Sequence, residues 1–124
     1  MIFIGNDIVK ISRIGRLLKK YDNHFLSKVF DKDEIDIANG KKYKTIHLSG
    51  KFAAKEASKK ALSAAGFSRI YLKDIVILNR QDGSPYVRDL CGQVAAMCKL
   101  KNIQISISHT DEYATAVAIV RTSN

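Results

Sequence analysis

The chain has 124 residues, 46% hydrophobic and 27% charged, with 21 Lys and Arg against 12 Asp and Glu for a formal net charge of +9. That composition describes one folded domain, residues 1–124, and excludes a disordered chain; no apolar run approaches the ~20 residues of a membrane-spanning helix. The positive excess points to a partner that is acidic or phosphorylated, to nucleic acid, or to an anionic membrane.

The first residues, M-I-F-I-G-N-D, carry no basic leader and do not read as a signal peptide, so the cytoplasm is the expected compartment. Ile2 to Val9 reads as a strand with a bulge or a close backbone approach at Gly5. Asp7 lies within this apolar run, where a carboxylate needs a cap role, an ion-pair partner or a metal. Ser12 opens a helix to about Tyr21, with Ile11, Ile14, Leu17 and Leu18 at core spacing. Its polar side carries Arg13, Arg16, Lys19 and Lys20 with no acid before Asp22, which makes it either solvated surface or a dock for something acidic. His24 to Phe30 reads as an apolar connector. Asp31 and Glu34 have capping-box spacing and open a helix to about Asn39, which Gly40 ends. Lys41 to Thr45 is a basic loop.

From Lys44 to Ala65 no proline intervenes, and Ala53, Ala54, Ala57, Ala61, Ala64 and Ala65 favour helix. Phe52, Glu56 and Lys60 follow one another at four-residue spacing along one side. Ala53, Ala57 and Ala61 form a neighbouring stripe small enough to admit another backbone. Gly66 ends the helix in a left-handed conformation. Taken locally, Glu56 and Lys60 form an ordinary surface ion pair worth roughly 0.3–0.5 kcal/mol. His47, in the first turns, carries no assigned role.

Tyr71 to Asn79 reads as a strand, and Gln81 to Pro85 as a turn holding the chain's one proline. A helix follows from about Asp89 to Lys101, with Leu90, Val94, Met97 and Leu100 inward. Cys91 and Cys98 fall on it ~10 Å apart along the axis, too far for a disulfide, and read as small buried hydrophobes in a reducing compartment. Ile103 to His109 alternates strictly, Thr110 to Glu112 turns, and Tyr113 to Val120 returns antiparallel, so His109 stands at the mouth of the hairpin. The fold class is α+β: an antiparallel sheet packed against a long central helix and shorter helices on one side.

Asp7 and Glu56 are the two acids set on regular elements in otherwise apolar or small-residue surroundings. Two carboxylates are too few for an all-protein metal cage. They suit Mg²⁺, which keeps waters and takes one or two carboxylates plus substrate phosphates. Lys55, Lys60 and His109 would then serve the phosphates, which points to phosphoryl-group chemistry.

Four segments, G-N-D-I-V-K-I-S-R-I, G-K-F-A-A-K-E-A-S-K-K-A, D-G-S-P-Y and S-I-S-H-T, closely resemble, in this order, those of the holo-acyl-carrier-protein synthases, small cytoplasmic 4′-phosphopantetheinyl transferases of fatty acid biosynthesis. The resemblance covers essentially the whole chain. It implies transfer of 4′-phosphopantetheine from coenzyme A to a serine of apo acyl carrier protein, with release of adenosine 3′,5′-bisphosphate. Asp7 and Glu56 match the family's Mg²⁺ ligands, and Lys55 and Lys60 its motif lysines at the coenzyme phosphates. His109 and Thr110 match its phosphate-contacting segment, and Pro85 its loop beside the nucleotide. Lys60 adds a point charge at the pyrophosphate, and either Glu56 or a water on the metal accepts the serine proton. Arg13 matches a family arginine; with Arg16, Lys19 and Lys20 it would dock the acidic carrier protein. The family's glycine-rich turn after the central helix is here L-S-A-A-G-F-S-R, with Gly66 alone, and Arg69 is available for the missing contacts. The family's small members are homotrimers with interfacial active sites.

A small basic nucleic-acid-binding domain would also explain the charge. Asp7 and Glu56 would repel phosphate without a metal, however, and no RNA-binding aromatic motif is present, so neither nucleic acid nor membrane is expected as a partner. A transferase serving a secondary-metabolite carrier domain, and a non-catalytic carrier-binding homologue, fit the same residues.

Overall fold

A computed structural model describes residues 1–90 and 100–123. The order of elements is β1 (Ile2–Lys10), α1 (Ile11–Tyr21), α2 (Asn23–Val29), α3 (Lys32–Asn39), α4 (Lys44–Ala64), a 3-10 turn (Leu72–Asp74), β2 (Ile75–Asn79), β3 (Pro85–Leu90), β4 (Leu100–His109) and β5 (Tyr113–Thr122). β5 is the middle strand of an antiparallel sheet ordered β1-β5-β4, and β2 and β3 form a separate antiparallel hairpin. The α+β class holds, with the sheet in two pieces rather than one. Among the described residues no helix is long and apolar enough to cross a membrane.

The 21-residue α4 runs across the inner face of the sheet. What lets it lie close is the size of the residues between them. β5 presents Ala114, Ala116, Ala118 and Val120, and α4 presents Ala53, Ala57 and Ala61, all buried. Gly5 completes the seat: a Cβ there would overlap the Ala57 carbonyl oxygen and stand 2.7 Å from Ala61 N. The glycine therefore marks a close approach; the pairing of β1 with β5 is continuous past it, with no bulge. A second layer of larger side chains, among them Ile14, Phe30, Leu48, Leu62, Ile75 and Ile77, fills the space between α4, the short helices and the hairpin.

The capping box forms as its spacing predicts. Asp31 Oδ2 accepts from Asp33 N at 2.9 Å, and Glu34 Oε1 accepts from Asp31 N at 2.8 Å. Gly66, at φ +95°, follows the end of α4. Three expectations are corrected. His24 to Phe30 is mostly helix, separated from α1 by Asp22 at φ 40°, and it buries Leu26. The segment before Ile75 is a 3-10 turn, because Leu72 and Ile75 direct their carbonyls at the buried Lys55 ammonium. Asp89 and Leu90 continue β3, paired with Val76 and Ile75, and Leu100 already belongs to β4. The remainder of the helix expected there, with Cys91 and Cys98, lies outside the described residues.

Candidate active site

β1 alternates, so Gly5, Asp7 and Val9 share the face that meets α4 while Ile2, Ile4 and Ile8 face away. Asp7 meets Lys60 there: Lys60 Nζ lies 3.2 Å from Asp7 Oδ1 and donates to Asn6 O at 3.0 Å. The ion pair of α4 thus forms across to β1, rather than along the helix with Glu56. Glu56, half-buried one turn before Lys60, makes no ion pair or hydrogen bond among the described residues. The Lys60 side chain is 55% exposed, so its ammonium is held loosely.

These features test whether the pair fits a hard divalent cation. Glu56, unpartnered among the described residues, and Asp7, which holds the mobile Lys60 ammonium, are carboxylates of the kind Mg²⁺ takes together with phosphate and water oxygens. No group of three or more His, Cys, Asp or Glu able to hold a metal is found among the described residues.

A cavity of about 530 Å³ opens farther along α4. One wall is the loop and helix carrying Lys41, Lys42, Tyr43, Ile46, His47, Gly50 and Lys51; the hairpin contributes Asn79, Gly83 and Pro85, and β4 contributes Ile107 and His109. Three lysines and two histidines line it, and no described carboxylate does. Burial, with Lys51 and Lys41 adding to it, pulls the His47 imidazole down to about 4, so it is neutral at pH 7. Burial also brings Lys51 down to about 8, with Glu34 opposing and Lys55 and Lys41 reinforcing. Cations held below their usual range by one another and by burial are those that an entering anion would stabilise.

His109 pairs with Ala114 on β5, and Val9 pairs with that same residue from the other side; Asp7 is two residues along. Strand spacing and rise separate the Asp7 and His109 Cα atoms by about 12 Å, within reach of one extended phosphate ester. Pro85 and His109 line the cavity. Thr110 does not; its Oγ1 accepts from Glu112 N and Tyr113 N and shapes the β4–β5 turn. Arg13, Arg16, Lys19 and Lys20 are all exposed along α1, which buries Ile11 and Ile14 on its other side.

Lys55 requires correction. Expected at the coenzyme phosphates, it is fully buried, and its ammonium donates to Glu34 Oε1 at 2.7 Å, Ile75 O at 2.7 Å and Leu72 O at 3.0 Å. All three N–H groups are used inside the protein, so none is left for a ligand. Burial holds this ammonium below its ordinary value, with Glu34 opposing. Conversely, Lys41, Lys42, His47 and Lys51 were given no role by sequence reasoning. The run K-K-Y-K was the available signal for the first two, but the hairpin that makes the opposite wall is far away in sequence.

A profile of the 4′-phosphopantetheinyl transferase superfamily matches residues 3–118. The holo-(acyl-carrier-protein) synthase of Protochlamydia amoebophila is 48% identical over 119 residues, covering 94% of each chain. That of Caldanaerobacter subterraneus is 39% identical over 122 residues, covering 95% of this chain and 93% of its own. Among solved structures, the ACPS–CoA complex of Chronobacterium ammoniagenes aligns at TM-score 0.86 and 28% identity over 100% of this chain and 99% of its own. The holo-(acyl-carrier-protein) synthase of Helicobacter pylori in complex with coenzyme A aligns at 0.81 and 31% over 94% and 98%. With the profile spanning nearly the whole fold, the chain belongs to the 4′-phosphopantetheinyl transferase superfamily, among its holo-acyl-carrier-protein synthases.

Proposed function

We propose that the protein, as a single domain over 1–124, transfers 4′-phosphopantetheine from coenzyme A to a serine of apo acyl carrier protein, in Mg²⁺-dependent fatty acid biosynthesis in the cytoplasm. What supports this reading is a basic cavity without a carboxylate among its described lining residues, on the helix that also carries Glu56 and the Lys60 that pairs with Asp7. The nucleotide end of coenzyme A has phosphates for Lys41, Lys42 and Lys51, and finds the neutral His47 and, beside it in the lining, His109 as hydrogen-bonding groups. From there the pyrophosphate extends toward Lys60. Its exposed ammonium can leave Asp7 for a phosphate oxygen at little cost, because exposed pairs are worth ~0–1 kcal/mol.

The serine oxygen forms a bond to the β-phosphorus, and the bond from that phosphorus to the bridging oxygen breaks. The electron pair leaves on the 5′-phosphate of adenosine 3′,5′-bisphosphate, where Lys60 offsets the growing charge. The hydroxyl proton needs an acceptor, and the Glu56 carboxylate has no competing partner among the described residues. Asp7 and Glu56 would hold Mg²⁺, which when bound supplies positive charge to the pyrophosphate oxygens.

Two partner surfaces go with this reading. The exposed cations of α1 would meet the acidic carrier protein and speed encounter. The outer face of the three-stranded sheet leaves Ile2, Ile4 and Ile8 about two-thirds exposed, with Val117 and Ile119 beside them at 38%. Such a patch suits burial by further copies of this chain, which supports the homotrimer with active sites between subunits. Mass measurement tests the activity: incubation with coenzyme A, Mg²⁺ and apo acyl carrier protein should add the phosphopantetheine mass. No gain across several carrier proteins refutes the reading, and competition between carriers separates fatty acid from secondary-metabolite service. Light scattering should give three times 13.8 kDa.

A further inference from the structure

The buried Glu34–Lys55 pair lies outside the cavity, yet it joins the parts that form it. Glu34 Oε1 accepts from Lys55 Nζ and from Asp31 N, while Oε2 accepts from Ile77 N at 2.9 Å. Lys55 adds the carbonyls of Leu72 and Ile75. One carboxylate and one ammonium therefore tie α3 to α4 and both to the start and middle of β2. One helical turn earlier, Lys51 donates to Asn79 Oδ1 at the far end of β2, and Asn79 Nδ2 donates to Gly83 O at 2.8 Å across the hairpin turn. Two lysines on α4 thus fasten β2 at its two ends.

The ties differ in what they face. Lys51, Asn79, Gly83 and Pro85 line the cavity, so an anion that enters competes with Asn79 for the Lys51 ammonium. Glu34 and Lys55 are buried and out of reach of any ligand. When Lys51 turns to a phosphate, the buried pair still ties the hairpin to the helix with directional bonds, beside the apolar packing of Ile75 and Ile77 and the Arg88 pairs to Asp31 and Asp33. A buried ion pair contributes little net stability over apolar residues of the same volume, because desolvation offsets its attraction. Its directional bonds fix a geometry.

We propose that Glu34 and Lys55 are positioning residues for the donor substrate. Without touching it, they hold the β2–β3 hairpin at the distance from α4 that sets the width of the coenzyme A cavity. This rests on the reading of that cavity as the coenzyme A site.

The test compares wild type with the double variant Glu34→Gln/Lys55→Met and with Glu34→Gln alone. In the double variant Gln can accept from Ile77 N and donate to a strand carbonyl, Met replaces the lysine stem, and no buried charge is left unpaired. Steady-state kinetics give kcat and the KM of each substrate, and calorimetry gives affinity for adenosine 3′,5′-bisphosphate. The expected result is a folded protein whose KM for coenzyme A rises roughly 10-fold, with bisphosphate affinity falling in parallel. kcat and the KM for carrier protein should stay within about twofold. Unchanged coenzyme A KM and bisphosphate affinity in a folded variant overturn the proposal, as does a fall in kcat alone that tracks the folded fraction. Glu34→Gln alone, which strands the buried Lys55 ammonium, should be the less stable of the two. If the double variant does not fold, Glu34→Asp, which keeps the charge pair but shortens its reach to Ile77 N, carries the same expectation and the same refutation. A Lys51→Met variant that binds the bisphosphate as tightly as wild type overturns the cavity reading, and the proposal with it.

Discussion

Replacing Gly5 by alanine adds one methyl group at the tightest of the described glycine sites. The new Cβ would overlap the Ala57 carbonyl, stand 2.7 Å from Ala61 N and 3.1 Å from Lys60 Cβ. Two of these obstacles are backbone of a 21-residue helix that also rests on the β5 alanines, so no side chain can swing aside. The helix must lift by about 1 Å, and overpacking of this kind costs about 1–3 kcal/mol. The lower unfolded-state entropy of alanine returns about 0.4–1 kcal/mol. With an unfolding entropy near 2.1 cal/mol/K per residue, a 124-residue chain loses roughly 4 °C of Tm per kcal/mol. The midpoints leave a net loss of ~1.3 kcal/mol, which lowers Tm by about 5 °C. Asp7 is two residues along the same face and Lys60 is itself a contact, so the 3.2 Å Asp7–Lys60 approach opens as well. kcat/KM at a temperature where the variant is folded should then fall by about 10-fold or more. Gly15→Ala is the control: its Cβ meets only Thr45 Cγ2 at 3.6 Å, within helix α1, and should raise Tm slightly. Thermal unfolding followed by circular dichroism, with kinetics on the same samples, decides it. A Gly5→Ala protein melting within about 2 °C of wild type at unchanged kcat/KM refutes the close seating of α4 on β1.

Asp7→Asn and Glu56→Gln should each lower turnover by at least ~100-fold while moving Tm by only a few degrees, since the Asp7 pair is exposed on its lysine side; near-normal rates at ordinary Mg²⁺ refute the ligand assignment. For His47, the unfolded imidazole binds its proton near 6.5 and the folded one near 4, so the unfolded state binds more protons between those values. Stability should fall as pH drops from about 6.5 to 4, and urea titrations of His47→Gln should show a shallower fall; equal slopes refute the burial of a neutral imidazole. Reversing charge with Arg16→Glu and Lys19→Glu should raise the KM for carrier protein and weaken its salt dependence, leaving the KM for coenzyme A unchanged. An unaltered carrier KM removes α1 from the docking surface.

The parts of the fold written in short-range pattern were legible. The capping box of α3 needs Asp31 and Glu34 three apart, and the β4–β5 hairpin needs alternation on either side of a short turn. The alanine stripe of α4 and the glycine that ends it are equally local signals. What escaped was decided by partners distant in sequence. Nothing in A-A-K-E-A-S-K-K-A distinguishes Lys55, which is buried, from Lys60, which is half exposed. The distinction comes from Glu34, 21 residues earlier, and from carbonyls 17 and 20 residues later. Glu34 itself was legible as a cap; its second use as the buried partner of Lys55 was not. The 3-10 turn before β2 follows from the same cause, since the chain bends to bring two carbonyls to one ammonium. Likewise, Lys60 is claimed by Asp7, 53 residues away, and the local pair with Glu56 does not form.

The net charge of +9 divides into parts with separate physical consequences. On α1 the cations are solvated and stand ready to attract an acidic partner at long range. At Lys55 the charge is neutralised internally by Glu34 and fixes a shape. In the cavity, burial first and the neighbouring cations second lower the affinity of Lys51 and His47 for protons. The coulombic part of that lowering, from Lys41, Lys51 and Lys55, is what an anion would offset. A bound phosphate relieves it, drawing Lys51 back toward its ordinary value and favouring a proton on His47. Binding should therefore carry a His47-dependent proton uptake that is absent in His47→Gln, with the ligand's own phosphate titration common to both proteins. The same logic applies at the other end of α4, where Asp7 keeps Lys60 close until a phosphate competes for it. Lys55, between Lys51 and Lys60 in sequence, is the lysine whose ammonium is spent wholly inside the protein.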